Sequence, residues 1–320
     1  YIIGKSSLEK DNYDVLVYCK RYVKTFRIPE FIEIIGTYAF SNFREIKEIK
    51  FPENSKLRII ESGAFHYSSI ESVIIPPHLT HICKDAFSQC KNLKIIQFPE
   101  KSKLISIGAN AFYKCEELSH IDISMSELQE IGENAFAYTP IERFTTSRHI
   151  TRICKGSFGN CQNLKKVDIL PSSNHLKIEK FAFEYSDVKT ISIQSKDVEI
   201  ENGCFDHAEK LKEVIITPDS LNLKLLENDS IMTKSSQNND NFDVIVFSKK
   251  DIEKIQIPIN IEIIGKFLFA KCKKLYHIEF HLLSKLRIID EYAFELSGIN
   301  FIKFPANLTK ICQGAFESCY

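Results

Sequence analysis

The sequence has no excess of charge of either sign: 42 Lys and Arg stand against 42 Asp and Glu over 320 residues. Binding to a phosphate backbone normally needs a basic surplus, so no nucleic acid is expected as partner. No apolar stretch approaches the roughly 20 residues that cross a bilayer, which leaves no membrane span in this region. The signatures of common enzymes are missing as well: there is no Gly-rich phosphate loop, no Gly-x-Ser-x-Gly and no His-Glu-x-x-His. Ten cysteines include no Cys-x-x-Cys, which argues against zinc. The expectation is a non-catalytic protein with no cofactor and no metal. With 44% hydrophobic and 26% charged residues the chain is nonetheless of folded, globular composition.

Its length exceeds the usual single-core domain, and internal repetition shows how it is built. A phenylalanine, usually after a small residue, recurs at Phe40, Phe65, Phe87, Phe112, Phe136, Phe158, Phe183, Phe205, Phe269, Phe294 and Phe316. Through Phe205 the intervals are 25, 22, 25, 24, 22, 25 and 22. Each is preceded by an Ile-x-x-Ile-Gly-like stretch. Cys or Ser commonly follows three residues on, and then Leu/Ile-x-x-Ile-x-Ile/Phe, often closed by Pro. Ile82 to Cys90 and Leu93 to Pro99 show the frame whole. Repeats with Phe65, Phe136, Phe183 and Phe294 lack the cysteine and bring the next apolar anchor one residue closer, at Ile70, Ile141, Val188 and Ile299. A larger duplication lies above this: residues 12–91 align with 241–320 at a constant offset of 229, matching at roughly two positions in five.

A unit of 22 to 25 residues buries no core alone, so each must shelter against its neighbours in a stack. The alternation in Leu93-x-x-Ile96-x-Phe98 has the period of two of a half-buried strand. The architecture expected is a solenoid with one short parallel β-strand per repeat, mostly β with short helical turns, its phenylalanines forming an interior ladder. Pro52, Pro76, Pro99, Pro171, Pro218 and Pro305 stop strands, because proline cannot donate to a ladder. Residues 1–320 read as a single solenoid fragment, since Cys319-Tyr320 falls inside a repeat. It divides into an atypical N-terminal repeat at 1–27, regular repeats at 28–218, an atypical repeat with an extra strand or hairpin at 219–257, and regular repeats at 258–320 that copy 29–91. Ser235 to Asp240 is expected to be a flexible loop.

The frame Ile-Gly-x-x-Ala-Phe-x-x-Cys-x-x-Leu-x-x-Ile-x-Ile/Phe-Pro resembles the BspA-type, or Treponema pallidum-type, leucine-rich repeat. The resemblance covers nearly the whole chain. It implies a leucine-rich-repeat solenoid and a role in adhesion or recognition, as in the protist surface proteins of this type proposed to act in host attachment. The frame glycine is replaced by Cys83, Cys154, Cys312 and Glu61, so that position is no invariant chemical site.

Eight cysteines occupy repeat positions: Cys90, Cys115, Cys161, Cys272 and Cys319 after the Phe, and Cys83, Cys154 and Cys312 before it. Small buried thiols explain them most simply. Disulfides between Cys83 and Cys90, Cys154 and Cys161, Cys312 and Cys319, or Cys90 and Cys115 are the alternative. His277-x-Glu279-x-His281 would place three metal-ligand side chains in one strand row, but at a spacing of about 6.5–7 Å that suits one ion poorly. His120-x-Asp122 is weaker, and a solvated strand face is the simpler reading of both. Asn228-Asp229-Ser230 and Asn307-Leu308-Thr309 match the glycosylation sequon.

Strand positions flanking the buried rungs define the candidate interaction face: Glu48, Lys50, Ser72, Ile74, Ile95, Gln97, His120, Asp122, Arg143, Thr145, Lys166, Asp168, Thr190, Ser192, Glu213, Ile215, His277, Glu279, Phe301 and Lys303. Exposed Ile74, Ile95, Ile215 and Phe301 among charges have the composition of an interface. The function expected is macromolecular recognition or adhesion through this face, with a protein or glycan partner, at the cell surface by resemblance. An intracellular scaffold or assembly component of the same fold, cytoplasmic or cytoskeletal, is the alternative.

Overall fold

Each regular coil begins with a short strand ending on an isoleucine, such as Ile34–Ile35 or His81–Ile82, turns at the phenylalanine and in most coils returns as a second strand. The structure, a computed structural model, describes residues 1–7, 9, 12–19, 22–234 and 240–319. The stretch 235–239, read from sequence as a flexible loop, lies outside the described residues. Strands after the turn form the sheets anticipated, such as Thr25–Arg27, Glu48–Lys50, Ser72–Ile74 and Ile95–Gln97 in parallel order. The isoleucine pairs before the turn are also strands. Ile34–Ile35, Ile59–Ile60, His81–Ile82 and their successors pair in parallel within a ten-stranded sheet. Most regular coils therefore carry two strand sides; after Phe112 and Phe294 the second is not a strand. The strands before the turn went unseen because two residues are too few to display a period of two.

The third side is not helical. Among the described residues no α- or 3₁₀-helix occurs, and the phenylalanine sits in a turn of alternating handedness. In all eleven coils the residues two before and two after it take positive φ, between 52° and 84°. Left-handed residues four apart interrupt any run of right-handed φ, which prevents a helix from propagating. They also aim alternate amides out of the coil. Gly63, Phe65 and Tyr67 donate to the carbonyls of Lys84, Ala86 and Ser88 in the following coil at 3.0, 2.7 and 3.0 Å, and Asp85, Phe87 and Gln89 repeat this onto Ala109, Ala111 and Tyr113. The turn side is thus a third hydrogen-bonded ladder. Bulky residues at these strained positions compensate by packing. The Tyr38 ring lies over Gly63 so closely that a Cβ there would sit 2.2 Å from it, and Tyr292 covers Gly314 in the same way.

Stacking the turns stacks the rings. From Phe40 to Phe205 successive phenylalanines are 4.9 to 6.0 Å apart between centroids and within 16° of parallel. A second, shorter ladder joins Phe269, Phe294 and Phe316. Phe40 through Phe183, Phe269 and Phe294 are fully buried, whereas Phe205 and Phe316 are half-buried. Each buried ring contributes about 1.5–3 kcal/mol by leaving water.

Between the ladders the chain forms an antiparallel meander, Leu223–Leu225, Ile231–Thr233 and Val244–Phe247, and the hydrophobic core divides in two. The hairpin Ile231–Thr233/Val244–Phe247 repeats the N-terminal hairpin Ile2–Gly4/Val15–Tyr18 at the offset of 229. The duplication therefore reaches back to Ile2, with Lys5 and Ser6 matching Lys234 and Ser235 in sequence. Each block of coils opens on its own copy of the hairpin. At the junction Phe247 meets Phe205 edge-on at 5.9 Å. An outer row of rings, Tyr185, His207, Phe267 and Tyr292, runs across the break. The Lys250 ammonium donates to the carbonyls of Phe267 at 3.4 Å and Leu268 at 3.1 Å, the second of which is at a position that a preceding coil's amide bonds elsewhere in the stack. Asp206 lies beside it, its carboxyl pushed up to about 7 by burial and by Glu184 against the opposing pull of Lys250 and Lys266.

Phe112→Ala removes a ring stacked on both sides and is expected to cost about 3–5 kcal/mol in urea unfolding, with Phe205→Ala costing less because its ring is half-buried and stacked on one side only. The carboxyl of Asp206 is raised, so its contribution to stability is full below 3.8 and lost as pH rises through about 7. Asp206→Asn should gain stability relative to the wild type across that window, read as the difference in urea midpoint.

Candidate interaction face

The strands after each turn alternate strictly. Ile49, Val73, Ile96, Phe144, Val167, Ile191 and Val214 are buried, and their neighbours along the strand point outward. All twenty face positions read from the sequence are exposed or half-exposed. Parallel register sets them in rows: Arg143, Lys166, Thr190 and Glu213 in one, and Thr145, Asp168, Ser192 and Ile215 in the next. Thr25, Glu48, Ser72 and Ile95 form a corresponding row in the first sheet, and Lys254 and Gln256 pair with His277 and Glu279 in the last. Thr25, Arg27, Lys254 and Gln256 were missed because they fall in the atypical segments. The alternation Thr25-Phe26-Arg27 and Lys254-Ile255-Gln256 was the signal available.

The face is not one continuous sheet. His120 keeps a single bridge to Ile95, and Asp122 accepts the amide and hydroxyl of Ser124 at 3.0 and 2.7 Å, which turns the chain before a strand can extend. Those bonds also hold the Asp122 carboxyl below its usual range. Phe301 and Lys303 are exposed on a segment without strand pairing. Along-strand ion pairs, Lys50 to Glu48 at 3.2 Å and Lys166 to Asp168 at 2.8 Å, offset part of the charge; being exposed, each is worth little to stability.

Hollows lie along this side among the described residues. One of about 720 Å³ runs over Arg27, Glu48, Lys50, Ile74, Ile95 and Gln97 and is bordered by Pro52, Pro76, Pro77 and Pro99. A second, about 390 Å³, continues from Ile95 and Gln97 to His120, Asp122 and Met125. A third, about 460 Å³, covers Lys254, Gln256, His277 and Glu279, and the turn Leu226 to Asn228 walls it. His281 does not join His277 and Glu279: its Nδ1 accepts the Leu283 amide at 3.0 Å in the turn after the strand. Among the described residues no group of three or more His, Cys, Asp or Glu is placed to hold a metal ion. The strongly displaced carboxyl, Asp206, lies at the block junction rather than on the face.

The profile of the BspA-type leucine-rich repeat region matches residues 14–137, 129–239 and 226–320, in six copies. The chain belongs to the BspA-type leucine-rich repeat family. Among solved structures it is similar to a leucine-rich cell surface protein from Faecalibacterium prausnitzii A2-165, with 19% identity, a TM-score of 0.59, and coverage of 93% of this chain and 79% of that one. It is also similar to the pneumococcal vaccine antigen PcpA, with 16% identity, a TM-score of 0.55, and coverage of 95% and 72%. These likenesses concern the fold. No curated protein matches the chain.

The cysteine of the BspA-type frame has a visible job here. Sγ of Cys90, Cys115, Cys161 and Cys319 donates to the carbonyl of the preceding coil's phenylalanine, Phe65, Phe87, Phe136 and Phe294, at 3.0 to 3.2 Å. In coils without the cysteine, the Thr139 and Ser186 hydroxyls donate to Phe136 and Phe183 of their own coil at 2.7 Å. Cys83, Cys90, Cys115, Cys154, Cys161, Cys204, Cys272, Cys312 and Cys319 are free thiols. Burial pushes Cys90 up to about 12 and Cys161 up to about 11, so both keep the proton that the hydrogen bond needs. Both sequon nitrogens are withdrawn too: Nδ2 of Asn307 donates to the Ser284 carbonyl at 2.6 Å, and Nδ2 of Asn228 is buried. In the native protein an alkylating reagent at mildly alkaline pH should leave Cys90, Cys115, Cys161 and Cys204 unmodified, and in denaturant it should modify them all, as read by peptide mass spectrometry.

Proposed function

We propose that this chain is a non-catalytic recognition protein that binds a protein or glycan through the exposed strand face, in the adhesion role of BspA-type surface proteins. One observation carries the reading: Ile74 and Ile95, on adjacent strands, are 64% and 56% exposed and share a hollow edged by charges and prolines. Single exposed aliphatics are ordinary, but two diagonal neighbours in a concave patch mark an interaction site. Each would contribute about 1.5–3 kcal/mol if a partner covered it. Arg27, Glu48 and Lys50 at the rim supply orientation rather than affinity. The extracellular setting accords with the descriptions of the two similar structures, a cell surface protein and a vaccine antigen.

The free thiols favour the same binding role inside a reducing compartment. Thiol alkylation of protein isolated from its source distinguishes the two settings. For the face itself, the wild type and an Ile74→Glu/Ile95→Glu double variant should be compared on an array of matrix proteins and glycans. The variant is expected to lose about tenfold or more in affinity for whatever the wild type retains. Equal retention by both would overturn the assignment of the face.

A further inference from the structure

The coils of the first block differ in length at one corner. Those of Phe65, Phe136 and Phe183 are one residue shorter after the phenylalanine than the coils on either side of them, and each carries a tyrosine two residues on: Tyr67, Tyr138 and Tyr185. A shorter turn between two longer ones leaves a recess, and these rings are 45 to 49% exposed. In two of the three coils the protein closes the recess itself. The amides of Ser69 and Asp187 donate to the carbonyls of Phe43 and Cys161 in the preceding coil at 2.9 and 3.2 Å. His66 packs on Tyr67 and His207 on Tyr185, with ring centroids 4.4 and 4.3 Å apart, and the Lys210 ammonium donates to the Asp187 carboxylate.

The Phe136 coil departs from this. Pro140 stands where the others have Ser69 and Asp187, and without an N–H it cannot make that bond. The Cys115 carbonyl is left with the Leu118 amide at 3.1 Å, and the turn is not drawn onto its neighbour. A hollow of about 340 Å³ results, with Tyr138 beside Pro140, Lys114 and Glu116 on the preceding coil, and Asn160, Gln162 and Asn163 on the following one.

Glu116 is engaged by Lys91 at 2.7 Å. Lys114 has no carboxylate partner among the described residues, and its Nζ stands 5.3 Å from the ring centroids of Tyr113 and Tyr138. The side-chain amides of Asn160, Gln162 and Asn163 make no hydrogen bond among the described residues. One aromatic ring, one uncompensated ammonium and three free amides match a sugar ring that carries a carboxylate. The C–H groups of a pyranose bear partial positive charge and suit the negative face of an aromatic ring. Each amide offers both a donor and an acceptor to hydroxyls, and the ammonium gives a carboxylate a charge-assisted hydrogen bond. An acidic peptide would satisfy the ammonium but bring few hydroxyls to the amides.

We infer that the recess beside Tyr138 binds an acidic sugar, a hexuronate unit of a polysaccharide, at a site that shares no residue with the strand face and does not depend on it.

Calorimetric titration of the chain tests this, with oligogalacturonate and hyaluronan fragments as probes beside a malto-oligosaccharide of equal length and a poly-glutamate peptide. A hexuronate is expected to bind, and the neutral sugar and the peptide to bind about tenfold or more weakly. Tyr138→Ala should lose about tenfold or more in affinity for the hexuronate. Lys114→Gln should bring the hexuronate down to the level of the neutral sugar. Pro140→Ser restores the amide found at Ser69, so it should close the recess and cut affinity about tenfold with no fall in melting temperature, which separates loss of the site from loss of the fold. Absence of hexuronate binding at millimolar concentration overturns the inference. So does equal binding of the neutral sugar or the peptide, or hexuronate binding that survives both Tyr138→Ala and Lys114→Gln.

Discussion

The structure depends on a turn in which two left-handed residues flank a phenylalanine. Left-handed φ at both positions costs conformational energy in nearly every coil, since most are occupied by residues other than glycine. The return is that three amides per turn leave the coil and bond the next one. With strands on the other two sides, most regular coils are hydrogen-bonded to their neighbours on three sides, and a ring lands on a ring at each step within a block. A coil without a neighbour would leave these groups unmet, so the repeat is stable only as part of a stack.

Each block of the stack opens on an antiparallel hairpin. The antiparallel hairpin turns the first parallel strand of each block away from an open edge, as protected edges in other sheets do. Where the second block meets the first, the internal hairpin is apolar on both sides and serves as a partition between two cores. The regular hydrogen bonds stop there, and Lys250 takes over the Leu268 carbonyl with a charge that burial pushes toward the neutral form. The junction is therefore held by a different chemistry from that of the repeats.

Much of this was legible in the order of residues. The phenylalanine intervals give the stack, and the strand alternation gives the outward positions, from Glu48 to Glu279. Less legible was the turn. Asn42, Gly63, Asp85, Asn110 and Gly156 are residues that tolerate left-handed φ, yet Tyr38, Lys114 and Phe267 fill the same positions and mask the pattern. The strand before each turn hid in stretches of two or three residues, such as Ile34–Ile35 and His81–Ile82, whose isoleucine also read as core. The electrostatic influence of Lys250 on Asp206 had no signal in the chain, because 44 residues separate them in sequence. Face residues in the atypical segments were overlooked for want of a phenylalanine marker, although Lys254-Ile255-Gln256 carries the alternation.

The turn ladder has a direction. Amides point from each coil to the next toward the C-terminal end, so the peptide dipoles of the turn side add along the solenoid axis instead of cancelling as they do across ordinary sheets. The molecule resembles a helix in this respect, with partial positive charge where amides are left over and partial negative charge where carbonyls are. An ammonium at the carbonyls of Phe267 and Leu268 sits on the negative pole of the second block. Each block is in this way polar along its own axis, and the junction is where the amide end of one block faces the carbonyl end of the other, with the Lys250 ammonium between them.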